Sequence, residues 1–271
     1  MENNSIRKKV ILIGLDGCRP DCCLKANTPN IKQLANQNYF SWNAQSEIHT
    51  ISGPAWTSSL TGVHMEKHKV TDNDFKPFVR KYETIFKIAK KHNPQIRTVA
   101  HSHWAPIIKE LFELDAMNIK STGSDKKMMK NIVKDIQKDK GDLYFIQMDD
   151  IDGAGHKHTY SLDSKKYIEC IEEHDKMVGE ILNTIEKRPP NEDWLIIIYS
   201  DHGGEGKGHG LPVKGCLNVV FIVANKKLSK RGEMPYNATE EEYPQLVDIV
   251  PTVAEFLGLT KNLEWDGISR L

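Results

Sequence analysis

The sequence predicts an α/β fold, a three-layer α/β/α sandwich on a mostly parallel central sheet, and three observations carry the prediction. Short apolar runs at 10–15, 97–101, 143–148, 194–199 and 217–224 show no polar alternation and read as strands buried on both faces. Stretches with helical spacing of apolar residues separate them, so strands alternate with helices and the sheet is covered on both sides. The chain has 271 residues, 39% of them hydrophobic, which suits one large domain over 1–271 with a single core.

Taken in order, the first strand (10–15) ends in Asp16-Gly17, and Thr28-Pro29 opens a helix through Gln37. In 46–62, Pro54 stands at the first position expected of a helix, Trp56 and Leu60 follow four apart, and Gly62 closes it. A helix over 82–92 carries Ile85, Ile88 and Ala89 on one face, and the strand 97–101 follows. The Lys-rich stretch 125–139 spaces Met128, Met129, Ile132, Val133 and Ile136 as an amphipathic helix with a solvated face. The strand 143–148 ends in acids, and a long helix over 163–187 stops at Pro189-Pro190 before the strand 194–199. After the strand 217–224 comes a polar connector with Gly232 and Pro235; a closing helix then has Pro251 at its start and Gly258 as its cap.

Composition excludes several classes. Lys+Arg and Asp+Glu both number 37, whereas a protein built to hold duplex DNA through many phosphates is basic. No apolar segment approaches a membrane span, and the start MENNSIRKK leads into a strand and not a secretory signal. The five cysteines (18, 22, 23, 170 and 216) are odd in number and match no zinc-finger spacing. A reduced, cytoplasmic setting is expected.

The chemistry gathers at 200–210, SDHGGEGKGHG. Asp201 and His202 stand at the end of a buried strand, and His209 follows a glycine-rich turn. Two other buried strands end alike, in Asp16 and in Asp152 with His156. Parallel strands present their carboxyl ends on one edge, so the three ends can converge. Three carboxylates and three imidazoles exceed one tetrahedral ion and suit two divalent ions about 3.5–4 Å apart. Histidine ligands favour zinc, with manganese second, over magnesium alone. Ser52, just before the helix marked by Pro54, is either its N-cap or an oxygen nucleophile at the positive end of the helix dipole.

The blocks Gly14-Leu15-Asp16-Gly17-Cys18-Arg19-Pro20-Asp21, Ser52-Gly53-Pro54-Ala55-Trp56, Leu60-Thr61-Gly62, Asp152-Gly153-Ala154-Gly155-His156, Ser200-Asp201-His202-Gly203 with His209, and 247–252 resemble the alkaline phosphatase superfamily. Within it they are most similar to the type I phosphodiesterase/nucleotide pyrophosphatase branch. They run from residue 10 to 258, nearly the whole chain. The resemblance implies one ion held by Asp152, His156 and His209, and a second by Asp16, Asp201, His202 and the nucleophile Ser52. It also implies a covalent phospho-serine intermediate. Asn73 and the Gly53 N–H would be donors to a phosphoryl oxygen. His68 matches a family position of structural character, and Asp149 and Asp150 fall beside the ligand positions.

Three departures shape the expected function. The branch has Thr where this chain has Ser52; Trp56 stands where sulfatases carry Arg; and the chain is short, so cap insertions are expected to be reduced or missing. The first expectation is a phosphodiesterase or nucleotide pyrophosphatase, and the second a phosphomonoesterase, which the Ser suggests. The partner is a small phosphate ester or nucleotide. An inactive metal-binding interaction protein is the alternative of another class, yet all seven ligand and nucleophile positions are intact. For substrate contacts, Phe75 or Trp104 offer stacking surfaces, and His158 or Lys207 offer phosphate contacts.

Overall fold

The computed structural model describes residues 6–229, 231–234 and 243–271; Pro235 of the expected connector lies outside them. The strands are β1 (Arg7–Leu15), β2 (Tyr39–Gln45), β3 (Thr98–Ser102), β4 (Ile119–Thr122), β5 (Leu143–Met148), β6 (Glu192–Tyr199), β7 (Asn218–Ala224) and β8 (Gly232–Glu233). They form one sheet in the order β4-β3-β5-β1-β6-β7-β2-β8. All neighbours are parallel except around β7, which runs against both β6 and β2. The mostly parallel sandwich is therefore the observed fold, with one strand reversed.

The helices are α1 (Pro20–Lys25), α2 (Pro29–Gln37), α3 (Ser52–Thr61), α4 (Met65–His68), α5 (Ile85–His92), α6 (Asp125–Gln137), α7 (Asp150–His158), α8 (Lys165–Glu186), α9 (Lys214–Leu217) and α10 (Ile249–Leu257). Side chains alternate across β1. Val10 and Leu12 join a core with Trp56, Leu60, Ile85, Phe86, Val250 and Val253, beneath α3, α5 and α10. Ile11, Ile13 and Leu15 join the opposite core with Ile31, Ile132, Ile171 and Val178, beneath α2, α6 and α8.

Several boundaries differ from expectation. α3 begins at Ser52, so Pro54 is its third residue; a proline N–H is not needed anywhere in a first turn. α5 begins at Ile85 because Thr84 caps it, its hydroxyl accepting the Lys87 N–H. α10 begins at Ile249 after a short tight turn over Leu246–Asp248, leaving Pro251 inside the first turn, while Gly258 takes the left-handed cap conformation as expected. α1, β2, α4, β4, α7, β8 and α9 were not foreseen as elements.

Two features of this topology place the site. The strands ending in Asp16, near Asp152 and at Asp201 are the adjacent trio β5-β1-β6. Beyond β6, the chain makes an excursion over 200–217 and returns antiparallel in β7. The base of that excursion is closed by Ser200 N–H to Val220 O (3.1 Å), Gly203 N–H to Cys216 O (2.8 Å) and Gly204 N–H to Gly215 O (2.9 Å). A single helical turn over Ile107–Leu111 breaks the connection from β3 to β4, and the longest stretch between elements among the described residues is then 69–84. No helix among the described residues is long and apolar enough to cross a membrane.

Candidate metal centre

Asp16 follows β1 and is buried, and its two oxygens have different surroundings. Oδ2 accepts the indole N–H of Trp56 (3.0 Å) and the amide of Gln147 (2.8 Å). Oδ1 has no hydrogen-bond partner among the described residues. Asp201, after β6, repeats the arrangement: Oδ1 accepts the Gly17 N–H (3.1 Å), and the buried Oδ2 is unpartnered. Burial, followed by the charges of Asp201, Asp152 and Asp149, drives the Asp16 carboxyl well above the usual carboxylate range. Burial, and then Asp152, pushes Asp201 up to about 7.

The three imidazoles share one device. Nδ1 of His202 bonds Gly203 O (2.8 Å), Nδ1 of His209 bonds Thr50 O (2.7 Å), and Nδ1 of His156 bonds Lys207 O (2.9 Å). A carbonyl only accepts, so each Nδ1 carries the proton and each Nε2 faces the carboxylates. His202 Nε2 lies 3.3 Å from Asp201 Oδ2 and 3.6 Å from Asp16 Oδ1. His156 Nε2 lies 3.3 Å from Asp152 Oδ2 and 3.2 Å from His209 Nε2. His209 Nε2 is 3.8 Å from Asp152 Oδ1. The structure thus brings Asp16, Asp201 and His202 together, and Asp152, His156 and His209 together. The groups touch: the His202 and His209 rings stack at 3.9 Å, and Asp152, His202 and His209 also gather within ligand distance.

Asp152 and His156 come from α7, four residues apart and so on one helical face. The hydrogen bond to Asp152 lifts the His156 imidazole to about 9. Burial lowers His209 to about 4 and lowers His202 as well. Burial works against the Asp152 carboxylate, but His156, His202, Tyr160 and His209 outweigh it and hold it at about 2. Tyr160 donates its hydroxyl to Asp152 Oδ1, and its ring fills the space between Gly155 and Gly204, where a Cβ on either glycine would collide with it. Gly204 of the glycine-rich turn is thereby explained by Tyr160.

Ser52 is not the N-cap of α3. The residue flanking α3 is Ile51, no side chain caps the helix, and Ser52 is the first helical residue. Its hydroxyl lies 3.1 Å from His202 Nε2, and with Nδ1 protonated that hydroxyl is the donor. Asn73 accepts the Gly53 N–H through Oδ1 at 2.9 Å, and its loop rests on Gly53, where a Cβ would strike the Asp72 carbonyl. The expectation of Gly53 as a second phosphoryl donor is corrected here: its N–H is already given to Asn73.

The stacking and phosphate-contact expectations change as well. Phe75 is buried in the core with its ring 5.5 Å from that of the half-buried Trp104, so it offers no free stacking face. His158 is the exposed last residue of α7, two positions beyond His156 and turned to a different side. The Lys207 side chain is exposed, and the residue serves the site through its carbonyl.

A further cluster, His103, Asp125 and Asp150, is engaged in anchoring α7. Asp125 accepts the N–H groups of Asp149 and Asp150 at the start of α7, Nε2 of His174 (2.9 Å) and Nδ1 of His103 (3.1 Å). It anchors the helix that carries Asp152 and His156. Burial opposes a charge on His174, but the bond to Asp125 prevails and holds it at about 10. Trp56, Gln147, Tyr160 and Asp125 are the site residues that sequence reasoning missed; each acts across the fold, and only the helical spacing of Trp56 and Leu60 hinted that one of them faces inward.

Comparison with known proteins gives this arrangement a context. The sequence matches the metalloenzyme superfamily over residues 21–261. It is 28% identical over 225 residues to an uncharacterized pyrophosphatase/phosphodiesterase of Schizosaccharomyces pombe, covering 74% of this chain and 45% of that protein. It is 28% identical over 160 residues to a 2,3-bisphosphoglycerate-independent phosphoglycerate mutase of Ehrlichia canis, covering 56% and 28%. The chain therefore spans less than half the length of either relative. In fold it is similar to human ectonucleotide pyrophosphatase/phosphodiesterase 5 (TM-score 0.75, 14% identity, 96% of this chain and 97% of that one). It is also similar to a 2-O GAG sulfatase (TM-score 0.76, 13% identity, 97% and 73%).

Proposed function

We propose, from the premise that this chain belongs to the metalloenzyme superfamily of alkaline phosphatase-like proteins, that it is a two-metal phosphoric ester hydrolase acting on phosphodiesters or nucleotide pyrophosphate bonds. One observation carries the reading. Three imidazoles, each fixed through Nδ1 on a carbonyl, turn Nε2 toward the same space as the two unpartnered carboxylate oxygens of Asp16 and Asp201, beside the Ser52 hydroxyl. Buried carboxylate oxygens without donors are costly, and divalent cations among them would offset that cost.

Asp16, Asp201 and His202 would hold one ion, and Asp152, His156 and His209 the other; zinc is our first choice and manganese the second. When bound, such ions lower the pKa of a hydroxyl or water and neutralise charge on phosphoryl oxygens. Ser52 sits at the N-terminus of α3, where the helix field favours an anion, and is the nucleophile of the first displacement. Asn73, anchored through its oxygen on Gly53, keeps its amide N–H groups for a non-bridging oxygen. A diester asks for less positive charge than a monoester dianion. Arg19, close in sequence to Asp16, spends its guanidinium on Asp21 and on the carbonyls of Tyr160 and Gly204. The S. pombe relative's description agrees with a diester or pyrophosphate substrate.

A phosphomonoesterase is the second reading, favoured by Ser in place of Thr at position 52. We also assign the enzyme to the cytoplasm, on its five free thiols. Turnover of bis-p-nitrophenyl phosphate against p-nitrophenyl phosphate, in zinc or manganese, is the test. Faster diester hydrolysis is expected, and a strong monoester preference would install the second reading. A chain loaded with both ions that cleaves neither compound would overturn the hydrolase assignment.

A further inference from the structure

Gln147 is the last residue but one of β5, lies wholly inside the protein, and has every hydrogen-bonding position of its amide engaged. Nε2 donates to Asp16 Oδ2 at 2.8 Å and to Asp149 Oδ1 at 2.8 Å. Oε1 accepts from the Ser102 hydroxyl at 2.8 Å and from the Trp104 N–H at 2.9 Å. The Trp104 N–H can only donate, so it sets which end of the amide is oxygen and directs both amide protons at the two carboxylates. Asp16 Oδ2 receives a second donor from the Trp56 indole, whose edge lies so close beneath β1 that a side chain at Gly14 would collide with it.

We infer that Gln147, together with Trp56, is a positioning residue for the Asp16 ion. The two residues fix one Asp16 oxygen by one hydrogen bond each and so present the other as a single-oxygen ligand, while Gln147 also ties Asp149 back from the site. The assignment rests on the proposed function, because it takes Asp16 as a metal ligand. Its chemistry is electrostatic. A neutral amide stands where three acids, Asp16, Asp149 and Asp201, crowd one end of the sheet, and it supplies two partial positive charges without competing for the cation. Partners of this kind set the orientation and basicity of a ligand, and their loss costs roughly ten- to a hundred-fold in metal affinity. The acceptor end of the amide has a different duty: it is held by the end of β3 and carries no information to the ion.

The separation of these two ends supplies the experiment. Zinc is titrated calorimetrically into the metal-free wild-type chain and into Gln147→Met, Trp56→Phe and Ser102→Ala, with thermal melting to establish that each variant is folded. Methionine keeps the length of glutamine and removes both donors. The expected result is two ions bound by wild type. In Gln147→Met and in Trp56→Phe, one of the two affinities falls roughly ten- to a hundred-fold while the other stays within about threefold; in Ser102→Ala, neither changes. Unaltered affinities in Gln147→Met overturn the inference, as does an equal fall at both ions, which would mark a general loosening of the core. A folded Gln147→Met that cannot be obtained leaves Trp56→Phe to decide by the same criterion. Wild type that binds no ion removes the functional reading first and this inference with it, so the two failures are told apart.

Discussion

The Ser52 hydroxyl donates to His202 Nε2 across 3.1 Å, joining the first residue of α3 to the end of β6, 150 residues further along the chain. α3 has no side-chain cap, and the hydroxyl points to the candidate metal centre instead. Ser52→Ala should therefore separate chemistry from stability. Turnover of the diester should fall by about a thousandfold or more while two metal equivalents are retained. The melting free energy should change by no more than about 0.5 kcal/mol, less than the loss of a working cap. Kinetics, elemental analysis and thermal melting on one preparation decide it. A variant that is destabilised yet active would return Ser52 to a structural role.

Tyr160 holds Asp152 through Oδ1, the oxygen other than the one beside His156, and is gripped between two glycines. Tyr160→Phe should keep the fold and weaken one ion by roughly tenfold, since only the hydroxyl is lost. Gly204→Ala should do worse, because Gly155 prevents the ring from retreating; a destabilisation of about 1–3 kcal/mol is expected from overpacking. Differential scanning calorimetry and a metal titration compare the two. Gly204→Ala equal to wild type in both would show that the ring has room.

Metal loading should release protons. In the metal-free chain Asp152 holds His156 at about 9, and burial raises Asp16 well above the carboxylate range and Asp201 to about 7. At pH 7 binding of both ions should expel about two protons or more, and apparent affinity should rise with pH and level off above about 9, where His156 loses its extra proton. Calorimetry in buffers of different ionisation enthalpy measures this. A proton count near zero would mean that these groups are not the ligands.

The buried pair His174–Asp125 should shape alkaline stability. His174 is raised in the folded chain from its ordinary 6.5 to about 10, so its contribution is fully present below 6.5 and is lost as pH climbs through about 10. Asp125 is lowered, so its share is present above the ordinary carboxylate range and lost in acid. His174→Gln should cost about 3–5 kcal/mol at pH 7, leaving a buried carboxylate without its ion-pair partner. Its melting temperature should then fall less than that of wild type between pH 7 and 10.5. Parallel pH slopes for the two proteins would exclude the pair as the cause.

How much of this was legible in the sequence depended on where the physics was local. The buried strands were readable because a strand covered on both faces must be apolar along its length, as 143–148 is. Their convergence followed from parallel pairing. β2, with Ser41, Asn43 and Gln45 along it, carries no such signature, and four-residue β4 alternates half-buried and exposed on the edge. α7 was hidden by Gly153 and Gly155, which weaken helix propensity by about 1 kcal/mol each, although tertiary anchoring on Asp125 overrides them. The candidate ligands could be named because they repeat a strand-end pattern. Trp56, Gln147 and Tyr160 could not, since a residue that orients another across the sheet leaves no spacing to read.

The reversed strand β7 has an evolutionary and engineering consequence. His209 is carried by a hairpin arm whose base is laced shut at Gly203–Cys216 and Gly204–Gly215, so its two ends belong to neighbouring strands. Such an arm is a replaceable part. Its tip, 205–214, should tolerate changes of length and sequence while the lacing keeps the sheet in register, provided that one imidazole still meets the Thr50 carbonyl and that one tip carbonyl still holds His156 Nδ1. Variation in what the enzyme accepts can thus be tried at this tip without reopening the problem of how the chain folds.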